Sequence, residues 1–310
     1  MKHSRTFRFS GPLARFQYAL LMGLFRIVWS RGGYGALARG LGRIFGQKTA
    51  TFLVNDGAAP FKIYLNDGYW TRFGLFYPDY EPEVAAVINA AAGKTPLFCD
   101  LGANKGYWVT QAKTHFDKII AVEASEQTFR ALAENAEELD NVSIHKLAIH
   151  ETSGQTLTFV NTHLSHASAR LLGSEVVGQN DGIETVETVC IDDLVPRNTA
   201  ALIKLDVEGA EIAAIDGARQ TLVEGSVLIY EDHGSDDDCA PSAHLLNTPS
   251  IHVFSIENGV QRVNSIDEIR AIKTDIYKGY NFLAAHEDSK LLTSIFKSLQ
   301  STALTDTDNS

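Results

Sequence analysis

Residues 96–106, Pro-Leu-Phe-Cys-Asp-Leu-Gly-Ala-Asn-Lys-Gly, decide the fold. An apolar run of strand length, LFCDL (97–101), ends on an acid and passes into a turn with glycines at 102 and 106. Glycine at those positions allows a tight turn and close backbone approach. Working outward, further short apolar runs alternate with helical stretches: KIIAVE (118–123), VSIHKLA (142–148), ALIKLD (201–206), SVLIYE (226–231), IHVFSI (251–256) and YNFLAA (280–285). Strands separated by helices predict an α/β fold of Rossmann-like type, a mostly parallel sheet with helices on both faces.

Several helices carry their own punctuation. Pro82 opens PEVAAVINAAAG, with Gly93 just past its end. Ser125 stands where it can cap a helix whose Phe129, Leu132, Ala133, Ala136 and Leu139 share a face. Ile212, Ile215 and Leu222 define another apolar face, which Gly225 terminates. Residues 152–200 break this rhythm and read as an insertion near the active edge of the sheet. Upstream, TFLVN (51–55), the turn residues DGAAP and FKIYLN (61–66) predict a β-hairpin. The chain thus divides into a basic helical and hairpin appendage (1–75), a catalytic domain (76–300) and a polar tail (301–310) expected to be disordered.

Charge separates the same parts. The first 50 of the 310 residues hold nine basic side chains and no acidic one, leaving 18 basic against 38 acidic, a balance of −20, in the rest. An acidic body of this kind repels a phosphate backbone, so nucleic acid is not an expected partner; a small-molecule or glycan acceptor is. Residues 13–29 are apolar but interrupted by Arg15, Gln17 and Arg26, too short a run to span a bilayer. Residues 1–45 read either as a basic amphipathic helix lying on an anionic membrane or as a helical cap on the body. The three cysteines, Cys99, Cys190 and Cys239, form no metal or disulfide spacing and fit a reducing cytoplasm, with the membrane contact, if made, on its inner face.

In an open parallel sheet, ligands bind beyond the carboxyl ends of the strands. Four loops there carry chemistry. Asp100 can accept from a cofactor's ammonium group, and Glu123, about 20 residues further at the next strand end, suits the hydroxyls of an adenosine ribose. The candidate cofactor-binding residues are Asp100, Gly102, Ala103, Asn104, Gly106, Glu123 and Ala124. Alternation on the strand ALIKLD puts Lys204, Asp206 and Glu208 on one side if the strand persists. Asp206 and Glu208 can orient a hydroxyl, assist its deprotonation or hold a divalent cation, and Glu208 can equally compensate a helix dipole. In the fourth loop, His233 is the candidate general base beside Glu231, while Asp236 to Asp238 form a solvated acidic face. His163 and His166 are candidates for a substrate lid, and Tyr80 and Glu81 for closing over the cofactor.

The segments DLGANKG (100–106), AVEAS (121–125), Asn135 to Asn141 with VSIHKLAI, SHASA (165–169), ETVCIDDL (187–194), IKLDVEGAE (203–211) and YEDH (230–233) resemble the FkbM family of S-adenosylmethionine-dependent methyltransferases. The similarity runs from YPDYEPE (77–83) to about His233, and IKLDVEGAE is its most specific segment. It implies a class I methyltransferase fold with a seven-stranded sheet containing one antiparallel strand. It also implies S-adenosylmethionine at Asp100, Gly102, Asn104 and Glu123, and methyl transfer to a hydroxyl of a sugar, glycolipid or natural product. Ser125 stands where the family commonly has proline, and Lys105 where it commonly has an apolar residue.

Two other classes share parts of this pattern. A Rossmann-type NAD-dependent oxidoreductase also uses strand, glycine turn and acid, but needs a third glycine to admit a pyrophosphate. A non-catalytic cofactor-binding scaffold would bind without turnover. The residues leave open whether His233 or Asp206 removes the acceptor proton or a divalent metal at Asp206 and Glu231 lowers the hydroxyl's pKa.

Overall fold

The computed structural model describes residues 6–28, 33–53, 58–76, 80–161, 169–171, 182–207 and 209–307. The chain begins with strand β1 (Thr6–Phe9), helices α1 (Pro12–Ile27) and α2 (Tyr34–Phe45), strands β2 (Thr49–Leu53) and β3 (Phe61–Tyr64), and helix α3 (Gly68–Phe76). The expected hairpin is β2–β3, and β1 joins it to complete a three-stranded antiparallel sheet.

The body follows as α4 (Pro82–Ala91), β4 (Leu97–Leu101), α5 (Tyr107–Ala112), β5 (Lys118–Val122), α6 (Glu126–Ala136) and β6 (Val142–His145). The insertion supplies β7 (Ala148–Ile149), β8 (Thr156–Asn161), β9 (Ala169–Leu171) and β10 (Gly182–Val189), a four-stranded sheet in the order β7-β10-β8-β9. Then come α7 (Ile191–Leu194), β11 (Leu202–Leu205), α8 (Glu211–Asp216), α9 (Arg219–Val223), β12 (Val227–His233) and α10 (Ala240–Leu246). The chain closes with β13 (Ile251–Ser255), β14 (Gln261–Val263), α11 (Ile266–Ile272), β15 (Gly279–His286) and α12 (Lys290–Thr307).

The main sheet has the order β14-β13-β15-β12-β11-β4-β5-β6. β6, β5, β4, β11 and β12 are mutually parallel, and β15 inserts antiparallel between β12 and β13. This is the expected seven-stranded arrangement with one addition. The eighth strand, β14, pairs antiparallel with β13 at the edge. It is three residues long, two of them exposed and polar, so no alternation announces it.

Period-two alternation sends successive strand residues into two cores. Phe98, Ile119, Ala121, Leu202 and Ile229 join α4, α5, α6 and α12 on one face. Cys99, Leu101, Ile120, Ile203 and Tyr230 join α8 to α11 on the other. The first core continues into Leu21 and Phe25 of α1 and Phe52, Phe61 and Ile63 of the small sheet, so α1 packs on the body through one face.

One local expectation holds and is widened, and two are corrected. α6 buries Leu132 and Ala136 of the expected face, with Leu139 just beyond it and Phe129 packed on the same core, and the buried surface extends to Thr128, Ala131 and Asn135, the last fully used as a hydrogen-bonding strut. Ile212, in the first turn of α8, is exposed, and the expected single helix is two: α8 ends at Asp216, and Gly217, where a Cβ would stand 2.4 Å from the His150 carbonyl oxygen, separates it from α9. Finally, α12 runs on to Thr307 through the segment expected to be disordered. Once Leu291, Leu292 and Ile295 anchor the helix, each added residue gains a backbone bond at little cost.

Candidate active site

The chain runs outward from β4 through β5 to β6 and then returns to β11 on the other side of β4, so the strand order reverses at β4 and a crevice opens at the carboxyl ends. Gly102 and Gly106 both have φ +82°, and a Cβ on Gly102 would stand 1.8 Å from the Asp206 carbonyl oxygen. The glycine therefore lets the β4 turn lie directly on the β11 turn. Every amide of residues 102–106 is consumed within the protein. Gly102 and Ala103 N–H donate to the Val122 carbonyl (both 2.9 Å), and Gly106 N–H donates to the Ala103 carbonyl (2.8 Å). Asn104 N–H donates to Glu123 Oε2 (3.0 Å), and Lys105 N–H to Asn104 Oδ1 (2.9 Å).

The crevice is a cavity of about 380 Å³ lined by five carboxylates, Glu81, Asp100, Glu123, Asp206 and Glu231, against one ammonium, Lys204. Asp100 is buried, and neither carboxylate oxygen has a hydrogen-bond partner. Burial pushes its pKa up to about 7 against the pull of Lys204. Glu123 is also raised to about 7 by burial, opposed by the Ser125 N–H on Oε1 (2.9 Å) and the Asn104 N–H on Oε2. Glu81 accepts from Trp108 Nε1 (3.1 Å) and is likewise held at about 7, chiefly by burial.

Buried Lys204 donates to Asp206 Oδ2 (2.8 Å). Burial works against its ammonium, but Asp206, Glu81 and Asp100 outweigh it and keep its pKa well above the usual lysine range. Glu81 adopts φ +43° immediately before Pro82, a backbone conformation that costs a non-glycine residue on the order of 1 kcal/mol or more. That cost is met where Glu81 turns into the cavity.

Strand β12 sorts the YEDH segment into two sets. Tyr230 and Asp232 are buried on the far face, where Ser242 Oγ donates to Asp232 Oδ2 (2.5 Å) and Lys273 forms an ion pair with Asp232. Glu231 and His233 face the cavity. A Cβ on Gly279 of β15 would stand 2.3 Å from the Glu231 carboxyl carbon, so glycine there makes the space for that carboxylate. His233 Nδ1 lies 2.7 Å from Ser235 Oγ and accepts from the Ser235 N–H (3.2 Å). The neutral ring thus carries its proton on Nε2.

Of the sequence-predicted residues, Asp100, Gly102, Ala103, Asn104, Glu123, Ala124, Asp206, Glu231 and His233 all line this one cavity, with Tyr80 and Glu81. Gly106 lies behind the turn instead, and a Cβ there would meet the Leu132 side chain at 2.8 Å. Glu208, His163 and His166 lie outside the described residues. Sequence reasoning missed the aromatic wall: Tyr69, Trp70, Tyr107, Trp108 and Tyr277. The dense GYW and GYWV clusters at 68–70 and 106–109 were its available signal. Lys204 was placed on the right face but given no role. No three His, Cys, Asp or Glu side chains converge as metal ligands among the described residues.

The sheet order and the cavity at its switch point are those of the class I methyltransferase fold. A model of the methyltransferase FkbM domain matches residues 100–272, more than half of the chain, and the chain belongs to this family of S-adenosylmethionine-dependent methyltransferases. Among solved structures it is similar to methyltransferase FkbM from Methylobacillus flagellatus KT (16% identity, 62% of this chain and 44% of that one, TM-score 0.38). The chain therefore spans less than half the length of that protein. It is also similar to SMU.1697c, a candidate methyltransferase from Streptococcus mutans in complex with SAH (11% identity, 67% and 98% covered, TM-score 0.39). A third similar structure is the ribosomal protein L11 methylase of Lactobacillus delbrueckii subsp. bulgaricus (13% identity, 66% and 77% covered, TM-score 0.37). No curated protein matches the chain.

Proposed function

We propose that the chain transfers the methyl group of S-adenosylmethionine to a hydroxyl of a glycan, glycolipid or other small-molecule acceptor. One observation carries this reading: a cavity with five carboxylates, one ammonium and an unpartnered buried Asp100 suits a cationic cofactor and a proton-donating, uncharged acceptor. The fit disfavours NAD, since no turn amide is free to receive a pyrophosphate. When bound, the cofactor supplies a methyl group activated on a sulfonium centre. Asp100 receives the ammonium, and Glu123, held rigid by two N–H donors, receives the ribose hydroxyls. Tyr69, Trp70, Tyr80 and Trp108 exclude water from the crevice.

An alcohol is a poor nucleophile and needs its proton removed as it attacks. Lys204 fixes Asp206 through Oδ2, and Oδ1 has no hydrogen-bond partner among the described residues. Asp206 Oδ1 is therefore the proton acceptor in this proposal. His233 is better suited to donate from Nε2 to the acceptor and orient it, because Ser235 occupies the nitrogen that would take a proton.

The test uses S-adenosylmethionine labelled in the methyl group and cell extract separated into glycan, lipid, protein and RNA fractions. Label appearing as an alkali-stable methyl ether on glycan or lipid supports the proposal; label confined to protein or RNA refutes transfer to a glycan, lipid or small-molecule hydroxyl. Asp206→Asn should cut turnover on the order of 10²-fold or more while cofactor binding persists. Activity lost in EDTA and restored by magnesium would replace the protein base with a metal.

A further inference from the structure

Five large apolar side chains stand exposed together on α1 and α2. Leu13, Phe16, Leu20 and Ile27 of α1 and Ile44 of α2 are half of the ten exposed large hydrophobic residues of the described chain, and Phe16 and Ile27 are 59% and 77% exposed. At about 100° per residue, positions 13, 16, 20 and 27 fall on one stripe of α1. The opposite face, Ala14, Gln17, Leu21, Met22 and Phe25, is buried against the body. The stripe continues across to α2, because the Phe16 ring meets the Phe45 ring edge-on at 5.9 Å, beside Ile44.

Basic side chains border this stripe. Arg15 and Arg26 lie along one flank of α1, both exposed, and Arg43 is exposed one residue before Ile44. Arg8, Arg15, Arg26, Arg39, Arg43 and Lys48 form no ion pair among the described residues. The first 50 residues contain no acid with which to form one locally. The remaining 260 residues carry a balance of −20, so positive charge is concentrated in the segment that forms α1 and α2. No described helix is long and apolar enough to cross a membrane, so the face can lie on a bilayer but not span it.

We propose that the outer face of α1 and the C-terminal end of α2 dock on an anionic membrane surface, with Leu13, Phe16, Leu20, Ile27 and Ile44 entering the headgroup boundary and the arginines meeting lipid phosphates. The charge complementarity selects this occupant: a second copy of the chain would bring the same cations face to face. The helices also support the cavity. α3, which carries Tyr69 and Trp70 into it, packs so tightly on α2 that a Cβ at Gly68 would stand 2.6 Å from Gly35 and Tyr34 backbone atoms. Docking rests on none of the catalytic assignments above.

The experiment is co-sedimentation of the full chain with phosphatidylcholine vesicles, with and without about 30% phosphatidylglycerol, in low and ~0.5 M salt. Binding should require the anionic lipid and fall with salt. An arginine at an anionic surface contributes about fivefold to the partition coefficient, so Arg15→Gln with Arg26→Gln should weaken binding about 25-fold. Phe16→Glu with Leu20→Glu should abolish it, while the melting curve and cofactor affinity of both variants match the parent. Because the arginine pair is exposed and free of ion pairs, it tests the idea even if the glutamate pair folds poorly. Equal sedimentation with neutral vesicles, or none with anionic ones, overturns the proposal. So does a parent chain that runs as a dimer which Phe16→Glu with Leu20→Glu converts to monomer without any vesicle binding.

Discussion

Replacing Asp100 by asparagine should move stability and cofactor affinity in opposite directions. In the free protein this carboxylate is buried with both oxygens unpartnered, and its pKa is raised from 3.8 to about 7. A carboxyl raised in the fold binds its proton more tightly there than in the unfolded chain. Its stabilising contribution is complete below about pH 4 and is lost as the pH climbs through about 7. Keeping it ionised above that range costs about 4 kcal/mol. Asparagine removes the charge but leaves an unmet buried amide worth about 1–3 kcal/mol. The net gain at pH 8 is therefore about 1–3 kcal/mol, a rise of a few degrees in Tm, shrinking toward pH 5. Against this, loss of a charge-assisted contact to the cofactor's ammonium costs about 1.5–3 kcal/mol, or about 10- to 150-fold in Kd.

Calorimetric titration with S-adenosylmethionine and thermal melts at pH 5, 6, 7 and 8 read both quantities. The wild-type Kd should tighten about tenfold or more from pH 6 to 8 as Asp100 and Glu123 ionise, and the variant should lose the share that belongs to Asp100. A variant that melts lower at pH 8 yet binds the cofactor as tightly as the parent would make Asp100 a structural residue and refute the reasoning.

Three further outcomes test other parts of the site. Gly279→Ala places a methyl group 2.3 Å from the Glu231 carboxyl carbon and must turn that side chain away, so turnover should fall while cofactor Kd stays within about twofold, as separate titration and rate measurements will show. Glu123→Gln presents an NH₂ to one of two N–H donors, on Asn104 or Ser125, and should weaken cofactor binding by about 1–3 kcal/mol, measured by titration. Asp67→Asn strands the buried Lys105 ammonium and should destabilise by about 3–5 kcal/mol in denaturant melts, with much of the loss recovered by adding Lys105→Leu.

The parallel core of the fold was legible because buried parallel strands are continuous apolar runs, and each is closed by its own turn signal. Elements too short or too polar to carry a period were not: β14 has three residues, and β1 follows no pattern longer than four. The acids at strand ends were legible for the same geometric reason as the strands. A strand fixes where its last residue points, and Asp100, Glu123 and Asp206 reach the cavity together. His233 reached it too, but its tautomer depends on Ser235, a loop contact that no spacing encodes. The aromatic wall was illegible as a wall because Tyr69, Trp108 and Tyr277 come from three remote segments.

Lys105 shows why a departure from a family pattern can carry information that the pattern does not. A lysine in the glycine turn, where an apolar residue is usual, leaves a charge in a buried place, at 9% side-chain exposure. Such a charge persists only if something answers it. The answer comes from the appendage: Asp67 forms the ion pair through Oδ2, while its Oδ1 accepts from the Tyr69 and Trp70 N–H groups (2.9 and 3.2 Å) at the start of α3. Trp70 Nε1 then reaches Asn104 Oδ1 in the same turn (3.3 Å), and Asn135 binds both the Lys105 carbonyl and the Lys62 backbone of β3. One substitution in the turn is thus matched by a carboxylate that also caps the helix forming the cavity wall. The appendage and the cofactor turn are consequently a single hydrogen-bonded unit, and a change on either side of the Asp67–Lys105 pair should be felt on the other.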